Sequence, residues 1–193
     1  VMGAFAQMLP GKVPACTGGT EFAMAMAGYD KGRTPWRPWV LLDAFIEVSL
    51  GGFPHKDGGD AQNGCANNVA ITPAETMEVE IPVRVEETSF VACSEGAGKF
   101  RGGLGICRSY RYLQDETLGQ VRADRMKYQP YGLYGGEPSR RTYVTINPDA
   151  EDRRMPSKFV TTVNSRDLLR IEVPGGGGWG DALERDPQLV LQD

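Results

Sequence analysis

Hydrophobic and polar residues alternate along several short stretches of the chain, which is the pattern of half-buried β-strands. From residue 77 to 86, valine and isoleucine alternate with charged side chains, and the apolar set is Val79, Ile81, Val83 and Val85. Pro82 lies within this stretch and cannot donate a ladder hydrogen bond. We therefore expect this strand at a sheet edge or at a bulge.

Other segments carry strand patterns as well. Residues 39–49 are bounded by Pro38 and Gly51, and their near-continuous apolar character predicts a strand buried on both faces. A glycine-rich loop leads into a strand at 106–113, and the segment 118–125 is expected to return as its hairpin partner. Further strands are predicted at 142–146, 158–163 and 168–173.

Three short helices complete the predicted elements. An apolar helix near the start is ended by Pro10 and Gly11. A second helix has Thr72 as N-cap, Pro73 at its first position and Glu75 as capping-box partner, and a third begins at Asp186 and Pro187. The predicted fold is mainly β (α+β), with antiparallel strands, long Gly-rich loops and a few short helices, in a single domain over residues 1–193.

Composition restricts the classes of partner. The chain has 193 residues, of which 40% are hydrophobic and 24% charged, as expected of one folded domain. With a net charge of −4, the chain lacks the basic surface that nucleic-acid binding requires. No apolar run approaches the roughly 20 residues of a membrane span, so we expect a cytoplasmic protein without nucleic-acid or membrane partners.

Cysteine and histidine are few. The cysteines are far apart, form no CxxC pair, and are expected to be reduced, buried thiols: Cys16, Cys65, Cys93 and Cys107. His55 is the only histidine. Because imidazole is a preferred ligand of catalytic metals, we expect no metal site contained wholly within this chain.

The segment 51–68 is a long irregular loop that is either functional or disordered. It brings the only histidine close to Asp57 and Asp60, a combination that suits a metal site or an acid and base pair. Gln62 and Asn63 add polar groups. A solvated or interface loop is the favoured interpretation.

Two glycine runs stand out among 25 glycines and 13 prolines. Residues 96–103 do not match a dinucleotide fingerprint, because Arg101 stands where GxGxxG needs its last glycine. They do not match a P-loop either, because Phe100 and not serine or threonine follows Lys99, so a structural turn is favoured over nucleotide binding. Four consecutive glycines at 175–178 lose much conformational entropy on folding. We therefore expect a close approach to that backbone by substrate, a partner chain or a neighbouring strand, with Trp179 as a packing wall.

A modest basic group is a candidate for holding a carboxylate or bicarbonate, although surface arginines are common. Its members are Arg101, Arg122, Arg125 and Lys127. No catalytic residue is assigned. The candidates for substrate contact are His55, Asp57, Asp60, Arg101, Gly176, Gly177 and Trp179.

Several stretches, taken together and in order, resemble the hydantoinase B and oxoprolinase family. They are VPACTGGT, GGFPHKDGGDAQN, TPAETMEVEIPVRVEE, GAGKFRGGLGICRSYRYL, YGLYGGEPS, MPSK and PGGGGWGDALERDP, which cover nearly the whole chain. The resemblance is to the C-terminal portion of a B-type subunit several hundred residues long. It therefore implies a processed or partial chain.

This resemblance implies a part in an ATP-dependent cyclic-amide hydrolase of the hydantoinase, oxoprolinase or lactamase type. The alternatives are an ATP-dependent ketone carboxylase of the same family and a purely structural or assembly module. The implied partners are an A-type subunit that binds ATP and Mg²⁺, the N-terminal part of the B-type subunit and a small-molecule substrate. A divalent metal is implied in that N-terminal part, whose HxxD and HHxD motifs do not occur here, and this segment is expected to bind neither cofactor alone.

Overall fold

The computed structural model describes residues 2–19, 23–43, 49–63 and 70–193. Within these residues the chain forms nine strands, three short α-helices and one 3-10 helix. The helices are α1 (Met2–Met8), α2 (Ala74–Glu80), the 3-10 helix (Ala182–Glu184) and α3 (Pro187–Val190). The strands are β1 (Ala23–Asp30), β2 (Arg37–Asp43), β3 (Val83–Phe90), β4 (Ile106–Tyr112), β5 (Thr117–Arg122), β6 (Tyr143–Ile146), β7 (Arg153–Arg154), β8 (Lys158–Val163) and β9 (Leu168–Glu172).

The strands form two antiparallel sheets. One has four strands in the order β2-β1-β5-β8, and the other has five in the order β3-β4-β9-β6-β7. All strand pairs that the described residues show are antiparallel. The predicted fold class, mainly β with a few short helices, is confirmed.

The hydrophobic core is a single cluster to which both sheets contribute. Met24 and Met26 of β1 enter it from the four-stranded sheet, and Tyr110 of β4 and Ile171 of β9 enter it from the other. Each of these side chains is at most 1% exposed. Because inward residues recur at every second position, the two sheets bury one face each against the other.

Strand β2 buries only one of its faces. Trp39 and Asp43 point inward, whereas Val40 and Leu42 are 76% and 68% exposed. The ring of Trp39 lies over Gly28 of β1, where an added Cβ would be within 3.1–3.3 Å of the ring. The prediction of burial on both faces is therefore wrong for residues 39–43, and residues 44–48 of the predicted strand lie outside the described residues.

The segment 77–86 is divided between a helix and a strand. Helix α2 continues to Glu80, leaves Val79 76% exposed, and β3 begins only at Val83. The N-cap is Pro73 and has no side-chain hydrogen bond, so Thr72 and Glu75 do not form the predicted capping box. Helix-favouring Glu and Met residues outweigh the period-two pattern until Pro82 ends the helix.

The expectation for Pro82 itself is confirmed. It directly precedes β3, which is the edge strand of the five-stranded sheet and contains a register shift between Val85 and Glu87.

The predicted hairpin between 106–113 and 118–125 is wrong. Strand β4 pairs with β3 and β9, whereas β5 pairs with β1 and β8 in the other sheet. Six of the seven residues of β4 are buried, whereas β5 alternates strictly between buried and exposed residues. A strand buried to this extent requires neighbours on both sides, and distant segments supply them.

Other predictions agree with the structure. Strands β6, β8 and β9 lie within the three segments predicted at 142–146, 158–163 and 168–173. Helices α1 and α3 are present, and the Asp186 carboxylate caps α3 by accepting from the Gln188 amide. Strand β1 was not predicted, because its Ala, Met and Gly residues favour no strand and only tertiary pairing makes them one.

The described cysteines differ in exposure. Cys107 is buried, Cys16 is half-buried and Cys93 is exposed. The expectation of buried thiols is therefore confirmed only for Cys107, whose pKa burial raises to about 11. Cys65 lies outside the described residues.

Within the part of the chain that the structure describes, no helix has the length and apolar character needed to cross a membrane.

Replacing Ile171 with alanine tests the shared core. Ile171 is fully buried in the cluster, so we expect the variant to lower the free energy of unfolding by about 2–5 kcal/mol. Val190→Ala, at a residue that is 55% exposed on α3, is the control and should change it by less than about 0.5 kcal/mol. Equal effects in urea unfolding would contradict this placement of the core.

Candidate functional site

The glycine run forms the centre of a compact arrangement of loops. We call this arrangement the glycine platform and define it as residues 174–180 with the segments that contact them: 15–18, 49–53, 94–105 and 130–137. Apart from isolated bridges that pair Trp179 with Phe100 and Leu133, these loops lie outside the named strands.

Backbone hydrogen bonds connect the run to a different neighbour at almost every residue. The Gly176 amide donates to Gly103 O (2.9 Å), and the Gly177 amide donates to Cys16 O (2.8 Å). The Gly178 amide donates to Glu137 O at 2.9 Å. Successive residues thus bond in different directions, so the run is enclosed by main chain on several sides.

The glycines are required because neighbouring main chain occupies the space of their side chains. A Cβ on Gly176 would overlap the carbonyl group of Leu50, and one on Gly177 would overlap that of Tyr131. A Cβ on Gly178 would overlap the Ala97 carbonyl. The close approach predicted from the sequence therefore comes from other segments of the same chain.

The second glycine loop, 96–103, belongs to the same platform. Its amides donate mostly to carbonyls of the chain, at Gly96, Lys99, Phe100, Gly102 and Gly103. A phosphate-binding loop must present free amides to the anion. The geometry therefore supports the structural turn and not nucleotide binding at this loop.

Trp179 packs among the aromatic residues of the platform. Its ring centroid lies 5.1 Å from that of Tyr134 and 6.3 Å from that of Phe100. The Tyr134 hydroxyl accepts a hydrogen bond from the Gly11 amide at 2.8 Å, which fixes the segment after α1 against the platform. Trp179 thus acts as a packing wall, as predicted.

Three predicted site residues, Asp57, Asp60 and Arg101, are held by ion pairs. Arg101 contacts the Asp60 carboxylate at 2.9 Å, and Arg185 contacts the Asp57 carboxylate at 2.8 and 2.9 Å. Both guanidinium groups also contact the Asp193 carboxylate. We call these five residues the carboxylate–guanidinium cluster. Their polar atoms largely satisfy one another, which favours a structural role over substrate contact.

The cluster also fixes the loop of residues 57–60 to the platform. The Asp57 carboxylate accepts from the Arg101 amide and the Asp60 carboxylate accepts from the Leu104 amide, at 2.9 and 2.8 Å. Burial by itself would raise the pKa of Asp60, but the bonds from Arg101 and Leu104 outweigh it and hold the pKa below its usual value. His55 is exposed, and its ring centroid lies 6.2 Å from that of Phe53.

A cleft of about 760 Å³ opens beyond the end of β5. Segments 123–128, 142–144 and 154–157 line it. Its walls combine apolar side chains such as Met126 and Met155 with the basic residues Arg125, Lys127 and Arg154. Two members of the predicted basic group, Arg125 and Lys127, thus share a cleft, whereas Arg101 lies in the cluster and Arg122 is an exposed residue at the end of β5.

Arg125 connects the cleft with the platform. Its guanidinium donates to the Cys16 thiol sulfur at 3.2 Å and to Gly19 O at 3.3 Å. Burial raises the pKa of Cys16, and the positive charge of Arg125 offsets only part of this rise. Cys16 is therefore a packing thiol, not an activated nucleophile.

A buried polar group inside the core was not found from the sequence. The Tyr110 hydroxyl donates to the Asp43 carboxylate at 2.6 Å, and Arg108 lies 3.5 Å from the same carboxylate. All three side chains are at most 2% exposed. Desolvation raises the pKa of Asp43 despite both partners. The sequence did hold one signal for this burial, because Arg108 is in phase with the alternating apolar residues Ile106 and Tyr110 of β4.

Within the described ranges, no group of three or more His, Cys, Asp or Glu side chains is arranged to hold a metal ion.

Comparison with known proteins identifies the family of this chain. The sequence profile of hydantoinase B/oxoprolinase matches residues 1–182. The chain belongs to this family. It is 33% identical over 196 residues to the B-type subunit of a putative D-/L-hydantoinase from Pseudomonas sp. (strain NS671), an alignment that covers 100% of this chain and 32% of that protein.

Two solved structures share the fold of this hydantoinase B/oxoprolinase chain. The ATP-dependent caprolactamase from Pseudomonas jessenii matches with a TM-score of 0.77 and 22% identity, over 98% of this chain and 34% of the other. A nucleotide-free acetone carboxylase matches with a TM-score of 0.71 and 18% identity, over 94% and 28%. The chain thus spans about a third of the length of these proteins.

Gly176→Ala tests the backbone packing of the platform. The new Cβ would overlap the Leu50 carbonyl, so we expect a loss of about 1–3 kcal/mol or more in the free energy of unfolding. Gly119→Ala is the matched control, since the nearest atom to its Cβ would be 3.8 Å away. If denaturant unfolding shows that Gly176→Ala lowers the free energy of unfolding no more than the control does, main chain does not enclose the glycine run.

Asp60 gives the cluster a predictable pH dependence. Its folded-state pKa is below the unfolded value of about 3.9, so the unfolded chain binds the proton first as the pH falls. The stabilisation is therefore complete above about pH 4 and lost as the pH falls through the folded-state pKa.

We expect Asp60→Asn to flatten the acid limb of the plot of unfolding free energy against pH. Asp124→Asn, at an exposed aspartate, should leave that limb unchanged. Identical acid limbs for wild type and Asp60→Asn would show that the ion pair with Arg101 does not stabilise the fold.

Proposed function

We propose that this chain is the C-terminal portion of the B-type subunit of an ATP-dependent cyclic-amide hydrolase of the hydantoinase, oxoprolinase or lactamase type. The observation that carries the proposal is the match to the B-type hydantoinase chain over the whole of this chain. The likeness to the β-subunit of caprolactamase, 25% identical over 98% of this chain, supports it. Residues 1–193 would form one β-rich domain of that larger polypeptide.

The proposed partner is an A-type subunit that binds ATP and Mg²⁺. The proposal that ATP and Mg²⁺ bind the partner is supported by two observations: most amides of the 96–103 loop already bond to the chain, and the described acidic side chains form no metal-binding group. A divalent metal, where the reaction uses one, would belong to the N-terminal part of the B-type subunit. The cytoplasmic location stays a prediction.

Within this assembly the chain would act as a scaffold and as one wall of the substrate cavity. Hydrolysis of a cyclic amide releases a carboxylate, and guanidinium and ammonium groups bind carboxylates through charge-assisted hydrogen bonds. Lys127, Arg125 and Arg154 on the cleft wall have the right chemistry for this contact. Substrate contact by His55, Asp57, Asp60, Arg101, Gly176, Gly177 and Trp179 stays a prediction, and the internal bonds of most of them favour a supporting role.

A ketone carboxylase is the second candidate. The likeness to acetone carboxylase supports the same fold, and the cleft residues would suit bicarbonate as well as a carboxylate product. Incorporation of labelled bicarbonate into a ketone distinguishes this reaction from ring opening.

The test uses the complete B-type subunit assembled with its A-type partner. We expect a hydantoin, 5-oxoproline or a lactam to stimulate ATP hydrolysis, and mass spectrometry to find the ring-opened product. Bicarbonate incorporation into a ketone without any ring opening would replace the proposal with carboxylation. If an intact assembly carries out neither reaction, the remaining interpretation is a purely structural or assembly module.

The cleft has its own test within the same assay. Lys127→Ala should raise the substrate concentration for half-maximal stimulation several-fold, because the side chain lines the cleft, and should leave substrate-free ATP hydrolysis unchanged. Lys12→Ala, at an exposed lysine outside the cleft lining, is the control. If Lys127→Ala and Lys12→Ala both left the half-maximal substrate concentration unchanged, the cleft would not be part of the substrate cavity.

A further inference from the structure

The outer face of the four-stranded sheet is apolar although nothing in the described chain covers it. Its large side chains are Val40 and Leu42 of β2, Leu118 of β5 and Val160 of β8, which are 76%, 68%, 49% and 63% exposed. Strand registers place them in two rows across the sheet: Leu42–Ala25–Gln120–Val160 and Val40–Ala27–Leu118–Thr162. We call this surface the outer face.

The corresponding face of the five-stranded sheet is polar. Arg111 of β4 pairs with Glu86 at 2.8 Å, and Arg170 of β9 contacts Glu87 and Glu172 at 2.5 and 3.1 Å. A solvated antiparallel sheet is expected to have polar outer residues of this kind. The contrast within one chain indicates that the apolar outer face is buried by a further layer in the complete protein.

The shape of the outer face suits packed side chains. Ala25 and Ala27 of β1 form a column of small residues between the larger columns of β2 and β5. At one end Arg122 and Lys158 face each other across β5 and β8, exposed and without an ion pair among the described residues. A covering segment with apolar side chains, and with an acidic residue close to Arg122 and Lys158, would therefore complement the outer face.

We propose that a segment of the same B-type polypeptide, outside residues 1–193, covers this face. The inference rests on the proposed function, because relatives of this kind supply the additional chain: the B-type hydantoinase chain and the caprolactamase β-subunit are matched over only 32% and 34% of their length. In these relatives about two thirds of the polypeptide is available to form the covering layer.

The size of the face argues against a second copy of the chain. Four strands of about six residues, at ~4.8 Å per strand and ~3.3 Å per residue, have a flat footprint of about 400 Å², and the accessible area of the side chains on it is somewhat larger. A stable interface between separate proteins buries about 800 Å² on each partner. A covalently connected segment does not lose the entropy of association and packs stably on the smaller area.

The test is cysteine labelling of the complete B-type polypeptide, followed by peptide mass spectrometry to separate the introduced thiol from the native ones. Leu42→Cys and Val160→Cys report on the outer face. Val190→Cys on α3 and Val79→Cys on α2, at positions 55% and 76% exposed, are the controls. We expect a maleimide to react at least about tenfold more slowly at the two face positions than at the controls.

Each other outcome overturns the inference. Labelling at Leu42→Cys and Val160→Cys as fast as at the two controls would show that the face is open. Protection that appears only when the polypeptide dimerises would assign the face to a second copy, and protection that appears only with the A-type subunit would assign it to that partner. The readout requires no ATP or cyclic amide, so failure of the proposed enzymatic function and failure of this inference are distinguishable.

Discussion

The loops of the glycine platform depend on one constraint, the close packing of main chain around residues 174–180. The four glycine amides of residues 175–178 bond to carbonyls of three segments, 15–18, 94–105 and 130–137, and carbonyl groups occupy the positions that side chains would take. Such a core gains little from apolar burial and relies on satisfied backbone groups and close van der Waals contact. Residues 175–178 leave no room for a Cβ. The backbone hydrogen bonds that they form offset the entropic cost of ordering four glycines.

The platform and the sheets stabilise the chain in different ways. Between the sheets, methionine, tyrosine and aliphatic side chains form an ordinary apolar cluster around the buried Asp43, Arg108 and Tyr110 group. In the platform, the carboxylate–guanidinium cluster holds the 57–60 loop, and Arg125 connects the platform with the cleft. The basic cleft wall therefore has a rigid support on one side, as a binding wall requires.

Local patterns in the sequence predicted local structure well. Strands β6, β8 and β9 lie within segments that the sequence predicted as strands, and α3 follows from its cap and proline. Strand pairing is a long-range property, so the expected hairpin of β4 and β5 was wrong, and β1 went unnoticed because its small residues become a strand only between β2 and β5.

The candidate site shows the same limit. The loop composition identified Asp57 and Asp60, but Arg185, 128 residues from Asp57, has no sequence signal that connects it to them. The entropic cost of the glycine run correctly indicated a close neighbour, although only the fold reveals that the neighbour is the chain itself. Residues were thus easier to predict than their partners.

Amide hydrogen exchange across residues 175–180 is the decisive measurement, because it reports on the backbone bonds of the platform themselves. We predict protection comparable to that of the central strands β4 and β9, although no regular strand spans these glycines. Exchange as fast as in the exposed turn at residues 31–36 would contradict the enclosed platform and, with it, the support proposed for the cleft.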